Sequence, residues 1–124
     1  MYMLEITFKV LKSVMGKEGK VNTELLDELF SEEIIKPIAD WPGLKWKVWG
    51  MDENENDQDN FIGAGFYLFE NEKDARERAN YAKKNYPLNP AMSQVETRIY
   101  SVLENYSRAC RAPIDTPANP SKYN

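Results

Sequence analysis

The sequence predicts an α+β fold in which two helices cover one face of a four-stranded antiparallel sheet, in the chain order βαββαβ. Three observations support this prediction. Apolar and polar residues alternate near both ends of the chain, two aromatic-rich segments of strand length flank a charged loop in the middle, and two segments with helical spacing separate the strands. The order is the split-βαβ, ferredoxin-like arrangement, which leaves the second face of the sheet without helices.

The first strand and the first helix differ in the period of their apolar residues. Alternate residues of the strand are apolar, namely Tyr2, Leu4, Ile6, Phe8 and Val10. The apolar residues of the helix recur at helical spacing at Leu25, Leu26, Leu29, Phe30, Ile34 and Ile38. Thr23 is the expected N-cap, Pro37 is expected to kink the helix, and the Trp-Pro-Gly run at 41–43 ends it. Residues 12–20 are expected to form a flexible connection.

The middle of the chain predicts a long β-hairpin. Its arms run over 44–49 and 63–69, and an acidic loop over 51–60 joins them. Successive side chains of a strand point to opposite faces. One face then carries Leu44, Trp46, Val48, Ala64, Phe66 and Leu68. We expect this oily face to meet the helices and Trp49 to lie on the opposite face.

The second helix and the last strand follow the hairpin. Asn71 is expected to open the helix, and small residues form a narrow stripe along it with Tyr86, at Ala75, Ala79 and Ala82. The basic and acidic residues of 73–78 are interpreted as a solvated helix face, and Pro87 is expected to end the helix. Alternation resumes over 94–103, which predicts the fourth strand.

Length and composition indicate one domain without a disulfide. The 124 residues fit one core, predicted over 1–104, and the polar, proline-bearing residues 105–124 are expected to form an extended C-terminal arm. Cys110 is the only cysteine, and neither a secretory signal nor a run of about 18 apolar residues is present, which favours a cytoplasmic protein that does not enter a membrane. The net charge of −4 opposes binding to nucleic acid.

The chain has no histidine, which limits its chemistry. Ser-His and Cys-His nucleophile pairs, imidazole ligation of haem and almost every zinc site are excluded, so any general base must be a carboxylate, a lysine or a tyrosine. In the acidic loop, Asp52, Asn54 and Asn56 imitate the start of a calcium loop, but Asp57 stands where the turn glycine belongs. We interpret the loop as a solvated hairpin tip and expect no metal site.

The sheet face without helices, called the bare face below, is the expected ligand surface. It would show Glu5, Thr7, Lys9, Lys47, Trp49, Tyr67, Phe69, Glu96, Arg98 and Tyr100. An RNA-recognition motif shares the βαββαβ order and is an alternative from another class, because 62–69 approximates its third-strand signature. However, Ile62 replaces the basic residue and Ala64 replaces a stacking aromatic residue, and the neighbouring loop is acidic.

Three segments resemble the YdhR-like mono-oxygenase family, which belongs to the antibiotic-biosynthesis-monooxygenase group of dimeric α/β barrels. They are PGLKWKVW at 42–49, GAGFYLF at 63–69 and NEKDA at 71–75. The resemblance implies a homodimer whose two sheets face each other and enclose one pocket per subunit on the bare face. It also implies oxidation of a phenolic or quinol-type aromatic molecule by molecular oxygen without a cofactor.

The chemical type of each residue and the sheet face on which it is expected to lie then suggest its role. The expected catalytic residues are Glu96, Arg98 and Tyr100: Glu96 or Tyr100 takes a proton from the phenol, and Arg98 or Lys47 stabilises the phenolate. The expected substrate-binding residues are Thr7, Lys47, Trp49, Tyr67 and Phe69. The alternative is a module of the same fold that binds a small hydrophobic molecule, or only dimerises, without turnover. In that case the aromatic residues pack at a dimer interface and Glu96 forms a plain ion pair.

Overall fold

The computed structural model describes residues 1–53, 57–86 and 91–123. The long strands are β1 (Tyr2–Leu11), β4 (Leu44–Asp52), β5 (Asn60–Phe69) and β6 (Met92–Ser101), and a small hairpin consists of β2 (Gly16–Lys17) and β3 (Lys20–Val21). The helices are α1 (Lys12–Met15), α2 (Thr23–Leu29), α3 (Glu32–Ala39), α4 (Glu72–Asn85) and α5 (Glu104–Ala109).

The four long strands form one antiparallel sheet in the order β4-β5-β1-β6. This is the strand order of the ferredoxin-like arrangement, so the predicted α+β fold is confirmed. The buried stripe of α4 is also as predicted: Ala75, Ala79 and Ala82 are each at most 3% exposed and pack on the sheet. Asn71 caps α4, since its Oδ1 accepts a hydrogen bond from the backbone N–H of Asp74 at 3.0 Å.

The predicted first helix is two helices. Its N-cap is Asn22 rather than Thr23, because the Asn22 Oδ1 accepts from the N–H of Glu24 at 3.1 Å. The chain leaves the helical conformation at Phe30 and Ser31, and α3 then contains Pro37 without ending there. The expected flexible connection over 12–20 contains α1 and most of the small hairpin.

The structure reverses the expected facing of the central hairpin. Lys47 pairs with Tyr67, and Tyr67 pairs with Leu4 of β1, so the three side chains share one face of the sheet. That face carries the helices, because Leu4, Tyr67 and Phe69 belong to one core cluster with the alanines of α4. The prediction that Lys47, Trp49, Tyr67 and Phe69 lie on the bare face is therefore wrong. The hairpin residues that lie there instead are Trp46, Val48, Ala64, Phe66 and Leu68.

A β-bulge at the start of β4 explains this error for Lys47 and Trp49, whereas the error for Tyr67 and Phe69 follows from the apolar residues on both faces of β5, which leave its alternation ambiguous. The register of β4 against β5 shifts so that Leu44 pairs with Phe69 but Trp46 pairs with Leu68. The extra residue, Lys45, inverts the alternation for the rest of the strand. Leu44 is consequently buried on the helical side, as predicted, whereas Trp46 is not.

The C-terminal residues pack against the sheet edge. They begin with the helix α5, although the sequence predicts an extended arm from residue 105, and Ile114 is only 3% exposed. The backbone of Asn119 then pairs with the start of β4: its carbonyl accepts from the N–H of Gly43 at 3.2 Å, and its N–H donates to the carbonyl of Leu44 at 3.0 Å. The tail therefore covers part of an otherwise open strand edge. The domain boundary at residue 104 stays a prediction.

Two predictions fall on residues outside the described ranges. They are the part of the calcium-like pattern at Asn54 and Asn56 and the helix stop at Pro87. Across the described residues, no helix combines the length and the apolar character that a membrane span needs. The cytoplasmic location stays a prediction.

Candidate functional site

A cavity of about 160 Å³ lies between the helical face of the sheet and the helices α2 and α3. The helical segment contributes Leu26, Leu29, Phe30, Ile34 and Ile38 to its wall, and β1 contributes Ile6 and Phe8. Within the described part of the chain, no carboxylate lines this cavity, and its polar side chains are Lys47, Tyr67 and Tyr86. An apolar cavity of about 150 Å³ holds one benzene ring, so the size suits a single aromatic ring.

Lys47 is the polar centre of this cavity. Its Nζ donates a hydrogen bond to the Tyr67 hydroxyl at 2.6 Å and lies 3.1 Å from the centroid of the Trp49 indole. The indole is itself held by Phe30, with ring centroids 4.5 Å apart. Aromatic side chains from β4, β5 and the end of α2 thus fix the position of the amine.

Gly65 provides the space for this arrangement. Gly65 pairs with Trp49 on the neighbouring strand, and Tyr67, two residues further along β5, pairs with Lys47. A Cβ atom at Gly65 would lie 3.2 Å from Lys47 Cε and 3.2 Å from Tyr67 Cε1. The absence of a side chain therefore lets Lys47 lie across the strand and reach the Tyr67 hydroxyl.

The environment shifts the ionisation of both polar groups. Burial, together with the positive charge of Arg78, lowers the pKa of Lys47 to about 6. Burial raises the pKa of Tyr67 to about 12. At pH 7 the lysine is therefore mostly a neutral amine beside a neutral phenol. The face of the Trp49 indole favours the ammonium form, so the amine remains able to accept a proton once an anion is near.

Arg78 places a permanent charge behind the cavity wall. Its side chain is 3% exposed, and its Cζ lies 4.4, 4.9 and 5.8 Å from the ring centroids of Trp41, Tyr81 and Tyr67. One Nη donates to the Tyr86 hydroxyl at 3.1 Å, whereas Nε has no hydrogen-bond partner. Among the described residues no carboxylate pairs with this guanidinium. A buried cation without a counterion favours any anion that enters its neighbourhood.

The predicted site residues divide between the two faces of the sheet. Lys47, Trp49 and Tyr67 line the cavity, and Phe69 lies in the core beside Tyr67, with ring centroids 6.0 Å apart. The predicted residues that remain on the bare face are Thr7, Glu96, Arg98 and Tyr100. There Tyr100 donates to Glu5 at 2.9 Å. The sheet therefore separates the predicted base from the predicted aromatic residues, and their functional roles stay predictions.

Sequence reasoning misses Arg78 and the α2–α3 side of the cavity. The charge pattern predicts a solvated helix face that includes Arg78 and Asp74, and for these two residues that prediction is wrong, because Arg78 is 3% exposed and Asp74 is fully buried. Their spacing contains a signal, because positions 74 and 78 adjoin 75, 79 and 82 on one helical stripe. The cavity itself depends on the break between α2 and α3, which the prediction of one continuous helix misses although Ser31 followed by Glu32 and Glu33 is typical of a helix start.

The outer surface of α4 carries a larger but open groove of about 610 Å³. It is lined by Lys73, Arg76, Glu77, Asn80, Tyr81 and Lys84, among others. These are mostly solvated side chains, so the groove gives a ligand little burial. Among the described residues, no group of three or more cysteine, aspartate or glutamate side chains is placed to hold a metal ion.

The chain is similar to known proteins in its sequence and in its fold. A family model described as "Putative mono-oxygenase ydhR" matches residues 3–113. Among solved structures, an antibiotic-biosynthesis monooxygenase of putative function from Bacillus cereus is similar, with a TM-score of 0.48 and 15% sequence identity over 84% of this chain and 93% of that one. No curated protein matches the chain.

Proposed function

Since the chain belongs to the ydhR mono-oxygenase family, we propose that it oxidises a small, electron-rich phenol or quinol with molecular oxygen in the cavity between the sheet and the helices α2 and α3. The observation that carries the proposal is the cavity itself. It has room for one ring, walls of aromatic and aliphatic side chains, and Lys47 and Tyr67 as hydrogen-bonding groups at one point.

The substrate supplies all the electrons in the proposed reaction. When a hydroquinone becomes a hydroxyquinone, O₂ delivers one oxygen atom to a ring carbon and the other leaves as water, so four electrons pass from the ring to O₂. A phenolate is far easier to oxidise than a phenol, so the protein must bind the ring, exclude water and remove a proton. This chemistry requires no cofactor.

The residues take the following places in this proposal. Lys47, Trp49 and Tyr67 keep the predicted substrate-binding role, although on the helical face of the sheet. The catalytic roles predicted for Glu96 and Tyr100 would require a second pocket on the bare face. Only another subunit would close such a pocket, because those side chains are exposed in the single chain.

Oxygen uptake with a series of phenols and quinols tests the proposal. Leu29→Trp should lower the rate at least about tenfold for single-ring substrates, because the larger side chain fills the cavity that Leu29 lines. Leu103→Trp is the matched control, since Leu103 is 67% exposed and outside the cavity wall, and it should leave the rate unchanged.

Three other results would redirect the proposal. Loss of uptake on Tyr100→Phe with no effect of Leu29→Trp would place the reaction on the bare face. Tight binding of the same compounds without any enzyme-dependent uptake would identify a binding module without turnover. If these compounds neither bind nor cause oxygen uptake, the proposed function is wrong and only the fold assignment remains.

We also propose that the bare face joins two copies of the chain. Val48 is 53% exposed on this face beside the half-buried Trp46 and Phe66, and Tyr100 is 38% exposed on the same face at the opposite edge of the sheet. Apolar residues grouped on one sheet face are typical of an interface.

Light scattering during gel filtration tests the dimer. The wild type should have the mass of two chains, and Val48→Glu should shift it toward one chain because the interface would bury an unpaired charge. Ile35→Glu is the control, since it adds the same charge to a 39%-exposed residue of α3, on the other side of the sheet, and should leave the mass unchanged. A wild type with the mass of one chain would rule the dimer out.

A further inference from the structure

We propose that Lys47 is the general base of the cavity: its free amine takes the proton of an entering aromatic hydroxyl, and the ligand is then held as its phenolate in the positive field of Lys47 and Arg78. This inference rests on the proposed function. It gives the acid–base step, predicted from the sequence for Glu96 or Tyr100, to a residue on the opposite face of the sheet.

The cavity places an amine next to an entering ligand, and among the described residues no carboxylate lines the cavity to compete for the ligand's proton. Lys47 Nζ lies in the lining of a mostly apolar cavity and is already 2.6 Å from one aromatic hydroxyl, that of Tyr67. A ligand hydroxyl that enters beside Tyr67 would meet the same nitrogen at proton-transfer distance. The Tyr67 oxygen accepts from Lys47 and keeps its own O–H, which remains a donor for the ligand oxygen.

The groups that face Lys47 favour a neutral amine in the empty cavity. They are Tyr67 on β5, Arg78 on α4 and Tyr86 after α4, while α2, α3 and β1 contribute only apolar side chains to the wall. None of these groups is an anion, so no counterion among the described residues offsets the repulsion between a Lys47 ammonium and Arg78, although the face of the Trp49 indole favours the charged form. The lowered pKa of Lys47 follows from this environment.

Proton transfer resolves this charge problem. The O–H bond of the ligand breaks, an N–H bond forms on Lys47, and the electron pair stays on the ligand oxygen. The products are an ammonium and a phenolate, which together add no net charge to the cavity. Arg78 then has an anion nearby, since its Cζ and Lys47 Nζ lie 5.8 and 4.3 Å from the same Tyr67 ring centroid. The cavity is therefore selective for aromatic hydroxyls, whose phenolates the two cations stabilise, over aliphatic alcohols, which are far too weakly acidic to ionise against an amine.

The first experiment measures binding and ionisation rather than turnover. 3-Nitrophenol is a suitable probe, because its anion absorbs visible light and the free compound is mostly neutral at pH 7. We expect the bound probe to show the anion spectrum at pH 7 while isothermal titration in two buffers of different ionisation enthalpy shows almost no net proton release. An ionised ligand without a released proton means that the proton stays on the protein. In Lys47→Met the bound probe should remain neutral, whereas Lys45→Met should behave as the wild type.

Each other outcome of this experiment contradicts the proposal. An anion spectrum with one proton released per ligand would mean that Lys47 is already an ammonium. A bound but neutral probe would refute Lys47 as the base and leave the proposed function standing. No binding of the probe at millimolar concentration would contradict the proposed base, whereas the proposed function is tested separately by oxygen uptake with electron-rich phenols.

A second experiment needs no ligand. After reductive methylation with ¹³C-formaldehyde, the resonance that disappears in Lys47→Met should titrate near pH 6 in the wild type. Titration of that resonance near pH 10 would overturn the proposal whatever the activity of the protein.

Discussion

Replacing Lys47 by methionine should stabilise the folded protein at pH 7 by on the order of 2 kcal/mol. The unfolded chain binds a proton at Lys47 up to about pH 10.4, whereas the folded protein releases it above about pH 6. Between these values the unfolded state binds more protons, so the stability of the wild type rises with pH. Each pKa unit corresponds to about 1.4 kcal/mol, part of which the half-buried amine recovers through hydration. Methionine keeps the packing of the stem and removes the cost.

Urea denaturation at several pH values measures this effect. The advantage of Lys47→Met should be greatest at pH 6 and below, and it should vanish near pH 10, where the amine is neutral in both states. Lys45→Met is the matched control. Its Nζ donates to the Ile114 carbonyl at 2.7 Å and lies 3.2 Å from Glu70, so its replacement should cost about 1 kcal/mol. If Lys47→Met were destabilising at every pH, the amine would be charged and held by Trp49, and the proposed base would be lost with it.

A stability gain from removing a residue of the cavity would itself indicate function. A chain selected for stability alone would place an apolar side chain opposite Tyr67, because burying an amine beside a guanidinium is costly. Burial of the Arg78 guanidinium also lowers the stability of the folded protein, since its Nε is buried without a hydrogen-bond partner. Two costly cations beside one apolar cavity support a site for an anionic or ionisable ligand.

The fold was predictable because its signals are local. The alternation of β1, the alanine stripe of α4 and the cap at Asn71 each depend on a few neighbouring residues, and each is present in the structure. The order of these elements then leaves few topologies to consider.

The position of the site was not predictable in the same way. A single inserted residue at Lys45 decides which face Lys47 and Trp49 occupy, and the apolar residues on both faces of β5 give no independent check. The burial of Arg78 depends on Trp41 and Tyr81 closing around it, which is a tertiary contact. Lys47, Trp49 and Tyr67 therefore line a cavity on the helical face of the sheet, whereas the predicted base, Glu96 or Tyr100, lies on the bare face, and the roles of all of them stay predictions.

Gly43→Ala should destabilise the protein by about 3 kcal/mol or more, because two costs coincide at this turn. Gly43 has φ +76°, a conformation that costs an alanine on the order of 1 kcal/mol. A Cβ atom there would also lie 2.8 Å from the carboxylate carbon of Asp74. That carboxylate is fully buried and accepts hydrogen bonds from Asn71 and Ser121, so it has no room to move without breaking the start of α4.

Gly19→Ala separates the two costs. Gly19 has φ +79°, nearly the same backbone conformation, but no atom lies within 4 Å of the position that an alanine Cβ would take, so its replacement should cost only the backbone term of about 1 kcal/mol. Thermal and urea denaturation of both variants give the difference directly. Equal losses would mean that Asp74 yields easily and that the contact between the turn and α4 is loose. A larger loss for Gly43→Ala would show that Asp74 fixes the turn immediately before β4, and with it the bulge at Lys45 that directs Lys47 into the cavity.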